Sequence, residues 1–406
     1  MNTKNNSATA AKGSRQKKCP ICNERMVKIV YGMPDVDVWE KAEKREIFIG
    51  GCCIDEDSPN YHCYKCRKSF SKDLKNYIDE NDDWLRGDFE DITEEKEIIE
   101  DNLTTRIRHS LFGFVLGDCL GVPYEFKIKG TFKFEPFAGY GTFNQLPGTW
   151  SDDTALTLAM LETIVDGEYI ETTHKNNLKR FMDGEFFPDG RCFDVGIATR
   201  KAIDSDFTVS TDNAYGNGGL LRIWTLAAIS LQNNWTAAKE REVMFQANGL
   251  SHSTQELYMT CCELYFDLLK SLYKGDNDLE HYRLWYEEIS QRPDFKQYET
   301  KRGHICNAIF NVMDTFFTFP EYEDIMDPMR NIIEKGGDTD SNAALLGALL
   351  GAKQNIPKEY LKNIRAIERI DNYFLTPEQQ QVLNRAKRYA TEDGYFGVVL
   401  FDETFR

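Results

Sequence analysis

Two short segments of the sequence place carboxylates and hydroxyls where apolar helical stretches are predicted to begin. The first is TWSDDT at positions 149–154, and the second is GGDTDS at positions 336–341. Together they supply four carboxylates and two serine hydroxyls: Ser151, Asp152, Asp153, Asp338, Asp340 and Ser341. Capping a helix N-terminus uses one side chain, so capping and compensation of the helix dipole would account for only part of this set.

The chemistry of these six side chains favours divalent cations, provided that the two helix starts converge. Four carboxylates in one pocket would repel one another strongly, because each disfavours the ionisation of its neighbours. A set made only of oxygen ligands suits hard cations such as Mg²⁺, Mn²⁺ or Ca²⁺ and does not suit Zn²⁺. We therefore expect two divalent cations between the two segments.

A metal site of another kind is predicted near the N-terminus, where CxxC occurs at positions 19–22 and again at 63–66. Two residues between thiolates let a tight turn present both sulfurs to one tetrahedral Zn²⁺, and four thiolates make a closed, structural site. The predicted zinc ligands are Cys19, Cys22, Cys63 and Cys66. A redox dithiol is the alternative to zinc. Cys52, Cys53 and His62 are alternative ligands.

The segment between the two CxxC pairs contains YGMP at positions 31–34 and GGC at 50–52. In this respect the segment resembles a small bacterial zinc-ribbon module. That resemblance implies β-hairpins around the metal. It does not state a function, because such ribbons serve nucleic-acid binding, protein binding or neither.

The main body of the chain, which must position the carboxylates, is predicted to be mostly helical, because apolar residues recur at helical spacing and alternating β-branched runs are few. Leu103, Ile107, Leu111 and Phe114 show this spacing, and the run after Asp340 is also helical in design. Further helices are predicted over 153–165, 191–204, 219–231, 254–274, 303–317 and 357–371. Two of these helices carry small residues at every fourth position: Gly113, Gly117 and Gly121, and Ala343, Gly347 and Gly351. Such stripes let two helix axes approach closely.

Composition excludes several classes of protein. Of 406 residues, 41% are hydrophobic and 13% aromatic, which is enough to bury a core and excludes wholesale disorder. The net charge of −17 disfavours a nucleic-acid partner. No apolar run approaches the ~18 residues that a membrane helix needs, and no apolar secretory segment follows Met1. We expect a cytoplasmic protein whose cysteines do not form disulfides.

The domain organisation follows from shifts in composition. Positions 1–18 read as a disordered basic tail and 19–70 as the zinc ribbon. Positions 71–102 carry 13 acidic and 4 basic residues, which is typical of an acidic linker. Positions 103–400 form the main domain.

Six segments of the main domain, in order, resemble motifs of the ADP-ribosylglycohydrolase family, whose best-known member type is the dinitrogenase-reductase-activating glycohydrolase. They are GDCLGVPYEF at 117–126, SDDT at 151–154, CFDVGIATR at 192–200, YGNGGLLR at 215–222, LSH at 250–252 and GGDTDS at 336–341. The chain departs from the family pattern at Leu221, where the family has methionine, and at Ser341, where it often has threonine. Tyr215 or Gly216 takes the place of the leading serine of the phosphate loop.

This resemblance implies a fold, a cofactor and a reaction. The fold would be all-α, a compact orthogonal helical bundle preceded here by the small β-rich zinc ribbon. Two Mg²⁺ or Mn²⁺ ions would be held by the six side chains of the two acidic segments. The reaction would be cleavage of the C1″ glycosidic bond of an ADP-ribosyl group, with release of ADP-ribose.

Two further carboxylates are candidate catalytic residues. Glu125 lies outside both acidic segments yet within a family motif. Glycoside cleavage needs a carboxylate that is not a metal ligand and can therefore transfer protons. Its alternative is a surface acid after Pro123. Asp194 is predicted to be a second catalytic residue, as a metal ligand or as a base, and its alternative is a helix N-cap.

The substrate's diphosphate needs hydrogen-bond donors, and the glycine loop at 216–219 could offer backbone N–H groups to it. The predicted substrate-binding residues are Gly117, Asp118, Gly216, Asn217, Gly218, Gly219 and His252. Close helix packing is the alternative for Gly117. A structural histidine is the alternative for His252.

The first hypothesis is a metal-dependent hydrolase that removes mono-ADP-ribose from a modified protein side chain, with arginine as the first guess. The second is an ADP-ribose-binding or immunity-type protein that neutralises an ADP-ribosyltransferase by binding it, using the zinc ribbon or the acidic linker to dock. A third is removal of ADP-ribose from nucleic acid or a small molecule.

Overall fold

We describe the fold from a computed structural model, which describes residues 17–30, 41, 44–49, 59–65, 68–72, 77–79 and 102–374. The chain divides into two compact units, residues 1–98 and residues 99–406. Most of the predicted basic tail, most of the acidic linker and positions 375–400 of the predicted main domain lie outside the described residues. The predicted ligand Cys66 and the alternatives Cys52 and Cys53 also lie outside them.

The first unit contains a five-stranded sheet in the order β2-β1-β3-β4-β5. The strands are β1 Val27–Val30, β2 Ile47–Ile49, β3 Tyr61–Cys63, β4 Lys68–Phe70 and β5 Tyr77–Asp79. β1 and β2 are parallel, and the other neighbours are antiparallel. A small core of Cys19, Met26, Cys63 and Phe70 packs beneath the sheet. This sheet confirms the prediction of a small β-rich module before the helical domain.

The second unit is helical, which confirms the predicted all-α bundle. Its α-helices are α1 Leu103–Gly121, α2 Asp152–Leu161, α3 Glu171–Met182, α4 Ile197–Asp204, α5 Leu220–Ile223, α6 Leu226–Gln232, α7 Ala237–Gly249, α8 Glu256–Lys274, α9 Glu280–Gln291, α10 Pro293–Lys296, α11 Ile305–Thr318, α12 Met326–Ile333, α13 Thr339–Lys353, α14 Lys358–Leu361 and α15 Ile367–Asp371. Short 3₁₀ turns cover Val122–Tyr124, Asn217–Gly219 and Asn372–Phe374, and a hairpin pairs β6 Ile164–Val165 with β7 Glu168–Tyr169.

Two predicted helices differ from the observed ones because of single backbone positions. The helix predicted over 191–204 begins only at Ile197, since Asp194 adopts a left-handed backbone with φ 55°. The helix predicted over 357–371 is broken into α14 and α15, since Ala366 adopts φ 52°. A residue with positive φ cannot continue a right-handed helix.

The helices α1 and α13 lie against each other along their small residues, and we call this contact the glycine seam: Gly113, Gly117 and Gly121 with Ala343, Gly347 and Gly351. A Cβ added to Gly117 would fall 2.0 Å from the carbonyl oxygen of Ala343, and one added to Gly347 would fall 1.9 Å from that of Gly113. Only a hydrogen in place of a side chain permits this approach of the two backbones. Each stripe was predicted to allow close contact with a neighbouring helix, and the structure shows that the two stripes contact each other.

The glycine seam also aligns the ends of the two helices. α1 ends at Gly121, and the Thr339 hydroxyl at the start of α13 donates to the Gly121 carbonyl at 2.8 Å. The chain that leaves α1 therefore runs directly past the residues that open α13. In the described part of the chain, no helix is long and apolar enough to cross a membrane.

Candidate active site

The start of α2 is held in place by a carboxylate of α1. Asp118 is fully buried, and its two oxygens accept hydrogen bonds from the Ser151 backbone N–H at 2.9 and 3.0 Å. The Thr154 backbone N–H and hydroxyl donate to Asp118 Oδ2 at 3.0 and 2.6 Å. Asp118 thus satisfies donors at the N-terminus of α2, which would otherwise lack partners. Within α2, the Ser151 hydroxyl caps the helix by accepting from the Asp153 N–H.

The start of α13 is shaped by two glycines with positive φ, Gly336 at 72° and Gly337 at 91°. The Gly337 N–H donates to the Lys127 carbonyl, and the Phe126 N–H donates to the Gly337 carbonyl at 2.7 Å. These bonds tie the loop before α13 to the chain that follows α1. Asp338 then occupies the N-cap position, where its Oδ2 accepts from the Asn217 side-chain amide at 2.9 Å.

Glu125 and Asp194 lie together at the same place. Glu125 follows the 3₁₀ turn after α1 and is buried, with 5% of its surface exposed. Carboxyl oxygens of Glu125 and Asp194 lie within 4.8 Å of each other. The N-cap of α4 is Gly196. The alternatives of a surface acid for Glu125 and of an N-cap for Asp194 are therefore wrong.

The structure brings carboxylates from five segments into one group, which we call the carboxyl cluster: Asp118, Glu125, Asp152, Asp153, Asp194, Asp338 and Asp340. Two sets of three have ligand oxygens within 4.8 Å of one another and could each hold a metal ion. One set is Asp118, Asp153 and Asp340. The other is Glu125, Asp194 and Asp340. Asp340 is common to both sets.

Burial and the repulsion between neighbouring acids both raise the pKa values in the carboxyl cluster. Burial raises the pKa of Asp118 to about 6 against the hydrogen bonds from Thr154 and Ser151. Burial, and then the charge of Asp340, raises the pKa of Asp153 well above its usual range, and the same two causes raise the pKa of Glu125. Within residues 102–374, no lysine or arginine forms an ion pair with any member of the cluster.

Two oxygens of the cluster have no hydrogen-bond partner among the described residues, namely Asp153 Oδ2 and Glu125 Oε2. A buried polar group without a partner costs about 1–3 kcal/mol, and a charged one costs more. A set of buried oxygens without a balancing cation in the protein fits divalent metal ions. Each of the two sets of three could therefore hold a divalent cation.

The observed sets differ in membership from the predicted ligands. Asp153 and Asp340 are in them, whereas Asp152 and Asp338 lie beside them with raised pKa values. Asp118 was assigned to substrate binding, and its place in a metal-competent set was missed. Its position in the motif GDCLG, next to the glycine seam, was the available signal. Ser151 and Ser341 are buried at the two helix starts.

The glycine loop at 216–219 lies beside the carboxyl cluster through Asn217 and Asp338. The Asn217 N–H donates to the Gly303 carbonyl, and the Tyr258 hydroxyl donates to the Gly216 carbonyl at 2.8 Å. His252 faces this loop, since a Cβ on Gly218 would lie 3.1 Å from His252 Nε2.

His252 is held from its other side by a buried arginine that the sequence analysis did not single out. Arg222 Nη2 lies 3.3 Å from His252 Nδ1 and donates to the Ser251 hydroxyl at 2.6 Å. Burial, and then the charge of Arg222, lowers the pKa of His252 well below its usual range. His252 is therefore a neutral imidazole that presents Nε2 to the loop.

Gly117 lies in the middle of the glycine seam, against the Ala343 backbone. Helix packing accounts for this glycine, so we do not carry it into the proposed substrate site. Asp118 likewise has its hydrogen bonds with α2 and not with an open surface.

In the first unit, Cys19, Cys22 and Cys63 converge so that their sulfurs lie within 4.8 Å of one another. The Cys22 and Cys63 sulfurs are 3.5 Å apart, and Cys19 and Cys63 are buried. The two CxxC pairs are thus brought together, at least for the three cysteines that the structure describes. His62, an alternative ligand, instead has its Nδ1 3.0 Å from the Ser69 hydroxyl.

Comparison with known proteins gives consistent matches for the second unit. The ADP-ribosylglycohydrolase family profile matches residues 99–391. ADP-ribosylarginine hydrolase Tri1 of Serratia proteamaculans (strain 568) is 24% identical over 312 residues, which are 70% of this chain and 82% of the relative. Tri1 of Pseudomonas putida (strain GB-1) is 25% identical over 287 residues, covering 64% and 74% of the two chains.

A solved structure titled ADP-ribosylglycohydrolase-related protein complex is similar in fold, with a TM-score of 0.53 and 21% identity over 67% of this chain and 96% of that chain. The matched family profile spans more than half of the sequence and contains the whole carboxyl cluster. The chain therefore belongs to the ADP-ribosylglycohydrolase family.

Proposed function

We propose that this protein is a divalent-metal-dependent hydrolase that cleaves the C1″ glycosidic bond of mono-ADP-ribosyl groups on protein side chains and releases ADP-ribose. We propose arginine as the modified side chain, because two of the relatives are named ADP-ribosylarginine hydrolases. The observation that carries the proposal is the carboxyl cluster, with seven buried or half-buried acids, two unpartnered oxygens and no ion pair within residues 102–374.

Asp118, Asp153 and Asp340 would hold the cations, with Asp152, Asp338, Ser151 and Ser341 close by. Glu125 and Asp194 would then stay available for proton transfer. Divalent cations at such a site would orient substrate hydroxyls and a water molecule and would lower the pKa of that water. The chain's own groups at the helix starts fix where the cations bind, because Asp118 anchors α2 and the Gly336–Gly337 turn anchors α13.

Glu125 and Asp194 would move the protons. Burial, and then the charges of the neighbouring acids, raise the pKa of Glu125, which favours the protonated form that a general acid needs. In the reaction a water oxygen bonds to C1″ while the bond from C1″ to the arginine nitrogen breaks. Glu125 would donate its proton to the departing nitrogen, and the proton that the attacking water loses would pass to a carboxylate of the cluster, which returns the proton balance to its starting point. Asp194, whose oxygen lies within 4.8 Å of one of Glu125, is the second candidate for proton transfer.

We propose that the loop at 216–219 and His252 bind the diphosphate and ribose of the substrate. The loop presents no side chain at Gly218, and its neighbour His252 offers a neutral ring nitrogen there. The link from Asn217 to Asp338 fixes the loop relative to the carboxyl cluster.

For the first unit we propose one structural Zn²⁺ bound by Cys19, Cys22 and Cys63, with Cys66 as the predicted fourth ligand. Support comes from three convergent sulfurs in a small core. Zinc content measured on the purified protein should be one ion per chain and should fall in Cys22→Ser. A chain that contains no zinc, or a variant that retains it fully, would refute this site. A partner for this unit and a cytoplasmic location stay predictions.

The catalytic proposal is tested first by calorimetric titration with free ADP-ribose, with Mg²⁺ and then with EDTA. Binding that depends on the metal is expected. Hydrolysis of an arginine-linked ADP-ribosylated protein should then be lost in Asp340→Asn, which removes a charge from both sets of three, and should persist in Asp204→Asn at an exposed position of α4. A fully active Asp340→Asn variant would refute the proposed metal site.

Glu125→Gln separates chemistry from binding. This variant should lower kcat by about 10²–10⁴, the range for loss of a proton-transfer group, while ADP-ribose still binds. If Glu125→Gln still protected a target from an ADP-ribosyltransferase, neutralisation by binding would replace hydrolysis as the function.

A further inference from the structure

A cavity of about 330 Å³ opens beside the carboxyl cluster. Its walls come from residues 144–149, which run directly into Ser151 and Asp152, and from residues 188–193, which run directly into Asp194. The cavity is therefore built on the same two stretches of backbone that place the metal-side and the proton-transfer carboxylates. None of the roles proposed above uses it.

Two buried polar side chains line this cavity and lack partners. Gln145 has 5% of its surface exposed and Thr149 has 3%. Neither the Gln145 side-chain oxygen nor the Thr149 hydroxyl has a hydrogen-bond partner among the described residues. Buried polar groups in native proteins almost always have partners, and beside a cavity a water molecule or a ligand group can supply one.

The charged side chains of the cavity do not select a positively or a negatively charged acceptor. Asp189 is paired with Arg365, and Arg191 lies exposed at the rim. The remaining wall is apolar or aromatic, with Leu146 and Phe193. A planar group with N–H donors fits this lining, because it can stack on the Phe193 ring and donate to an amide oxygen and a hydroxyl.

The position of the proton donor decides which part of the substrate enters the cavity. A general acid must lie on the side of the departing group. A carboxyl oxygen of Glu125 lies within 4.8 Å of one of Asp194, the residue after Phe193. Phe193 also continues an aromatic row, with ring centroids 5.3 Å from Phe143 to Phe193 and 6.2 Å from Phe126 to Phe143. Phe126, the residue after Glu125, is exposed. The cavity and the proposed proton donor thus share one wall.

The cavity is separate from the proposed diphosphate site. The residues that contact the loop at 216–219 are Thr199, Asn248, His252, Tyr258, Gly303, His304 and Asp338. None of them lines the cavity. With the ADP side of the substrate assigned to that loop, the cavity remains for the other side of the scissile bond.

We propose that this cavity is the acceptor subsite, which receives the modified side chain of the protein substrate and selects a guanidine through Gln145, Thr149 and Phe193. This assignment rests on the proposed function, because it presumes a glycosidic bond between ADP-ribose and an acceptor. Gln145 and Thr149 are specificity-determining residues here and do not touch the reacting atoms.

The test uses the full chain and two variants, Thr149→Val and Gln145→Met. Thr149→Val keeps the shape of the side chain and breaks no hydrogen bond, so it should fold. Gln291→Met, at the exposed end of α9, is the matched control for Gln145→Met. For each protein two quantities are measured: kcat/KM on a peptide with ADP-ribosylated arginine, and the Kd for free ADP-ribose with Mg²⁺.

Each variant should lower kcat/KM about tenfold, as expected for a substrate donor left without its partner, while the Kd for ADP-ribose stays as in the wild type. Unchanged kcat/KM in both variants, with an active wild type, would overturn the acceptor subsite and leave the proposed function standing. Weakened ADP-ribose binding in both would also overturn it, since the cavity would then hold the nucleotide. A wild type that neither hydrolyses the peptide nor binds ADP-ribose would refute the proposed function itself.

Discussion

The middle and the ends of α1 and α13 differ in how their residues affect the stability of the fold. Along the glycine seam, α1 and α13 meet backbone to backbone, every residue from His109 to Gly121 is buried, and no room is left for a single added carbon. At the end of the seam, the carboxyl cluster gathers acids that repel one another and leaves two oxygens without partners. The seam stabilises the fold through close packing, whereas the carboxyl cluster destabilises it.

This difference shows which part of the helix pair exists for the fold and which for function. Close packing lowers the free energy of the folded state through contact alone. A cluster of buried carboxylates raises it, unless a ligand supplies the missing charge. Residues that break a local rule without a compensating gain inside the protein mark functional sites.

The largest effect is expected from a substitution in the glycine seam. Gly117→Ala would place a Cβ 2.0 Å from the Ala343 carbonyl oxygen, and both groups are parts of rigid helices that cannot yield separately. The free energy of unfolding should fall by about 3 kcal/mol or more, the upper end of overpacking effects. Urea denaturation measures the change.

Gly249→Ala is the matched control, since Gly249 is also helical and its added Cβ would meet only Thr254 at 3.7 Å. That variant should be as stable as the wild type or slightly more so, because alanine favours a helix over glycine. Equal losses in the two variants would mean that the seam is not uniquely tight.

A smaller effect of opposite sign is expected in the carboxyl cluster. Without metal, Asp153 must either take up a proton or stay a buried carboxylate whose Oδ2 has no partner, because burial and Asp340 raise its pKa. Asp153→Asn avoids both costs, so the metal-free protein should gain about 1–3 kcal/mol in free energy of unfolding. Thermal denaturation in EDTA should show a higher Tm than in the wild type. Adding Mn²⁺ should then raise the Tm of the wild type and not that of Asp153→Asn.

Asp204→Asn, at an exposed position, serves as the control and should leave both Tm values unchanged. A metal-free Asp153→Asn that is less stable than the wild type would show that this carboxylate contributes to the fold. The contrast between the seam and the cluster would then be lost.

The smallest effect concerns His109 of α1, whose backbone carbonyl lies against Gly351 of the seam. The neutral His109 ring accepts from the Ile356 N–H at 2.9 Å, and burial, with the charge of Arg108, lowers the pKa of His109 to about 4. The unfolded chain takes up this proton near pH 6.5, so stability is complete above that pH and declines as the pH falls toward 4. Between pH 7 and 5 the loss should be about 1–2 kcal/mol.

Denaturation at the two pH values measures this loss, and His109→Gln, which keeps an acceptor but does not titrate, should show less of it. The same decline in both proteins would assign the pH dependence to other groups.

Much of this arrangement could be predicted from the sequence because it follows from local rules. The four-residue spacing of small residues in α1 and α13 predicted that each helix packs closely on a neighbour, although not that the two helices are each other's neighbour. The two acidic segments predicted two helix starts with carboxylates. The spacing could not show which carboxylates belong to which set of three. Asp340 is shared by two sets and Asp118 anchors α2 only because the seam sets the axial register of the two helices.

Other features depended on loops and on long-range contacts, which carry no periodic signal. The delayed start of α4 follows from the left-handed backbone at Asp194, which nothing in the residue type demanded. Arg222 was passed over as part of a helix, yet it is fully buried against Ser251 and His252. The cavity beside Phe193 is formed by two loops that are far apart in sequence, so no single segment could have predicted it.

The glycine seam also has a consequence for the order of events on the ribosome. The hydrogen bond from Thr339 to Gly121 joins positions 218 residues apart. At about 5–20 residues per second, α1 would emerge roughly 10–45 s before its partner helix is synthesised. During that time an apolar, glycine-rich helix has no surface to pack against. A nascent chain that stops short of residue 339 would carry this exposed helix without a complete carboxyl cluster, and we expect chaperones and proteases to bind it.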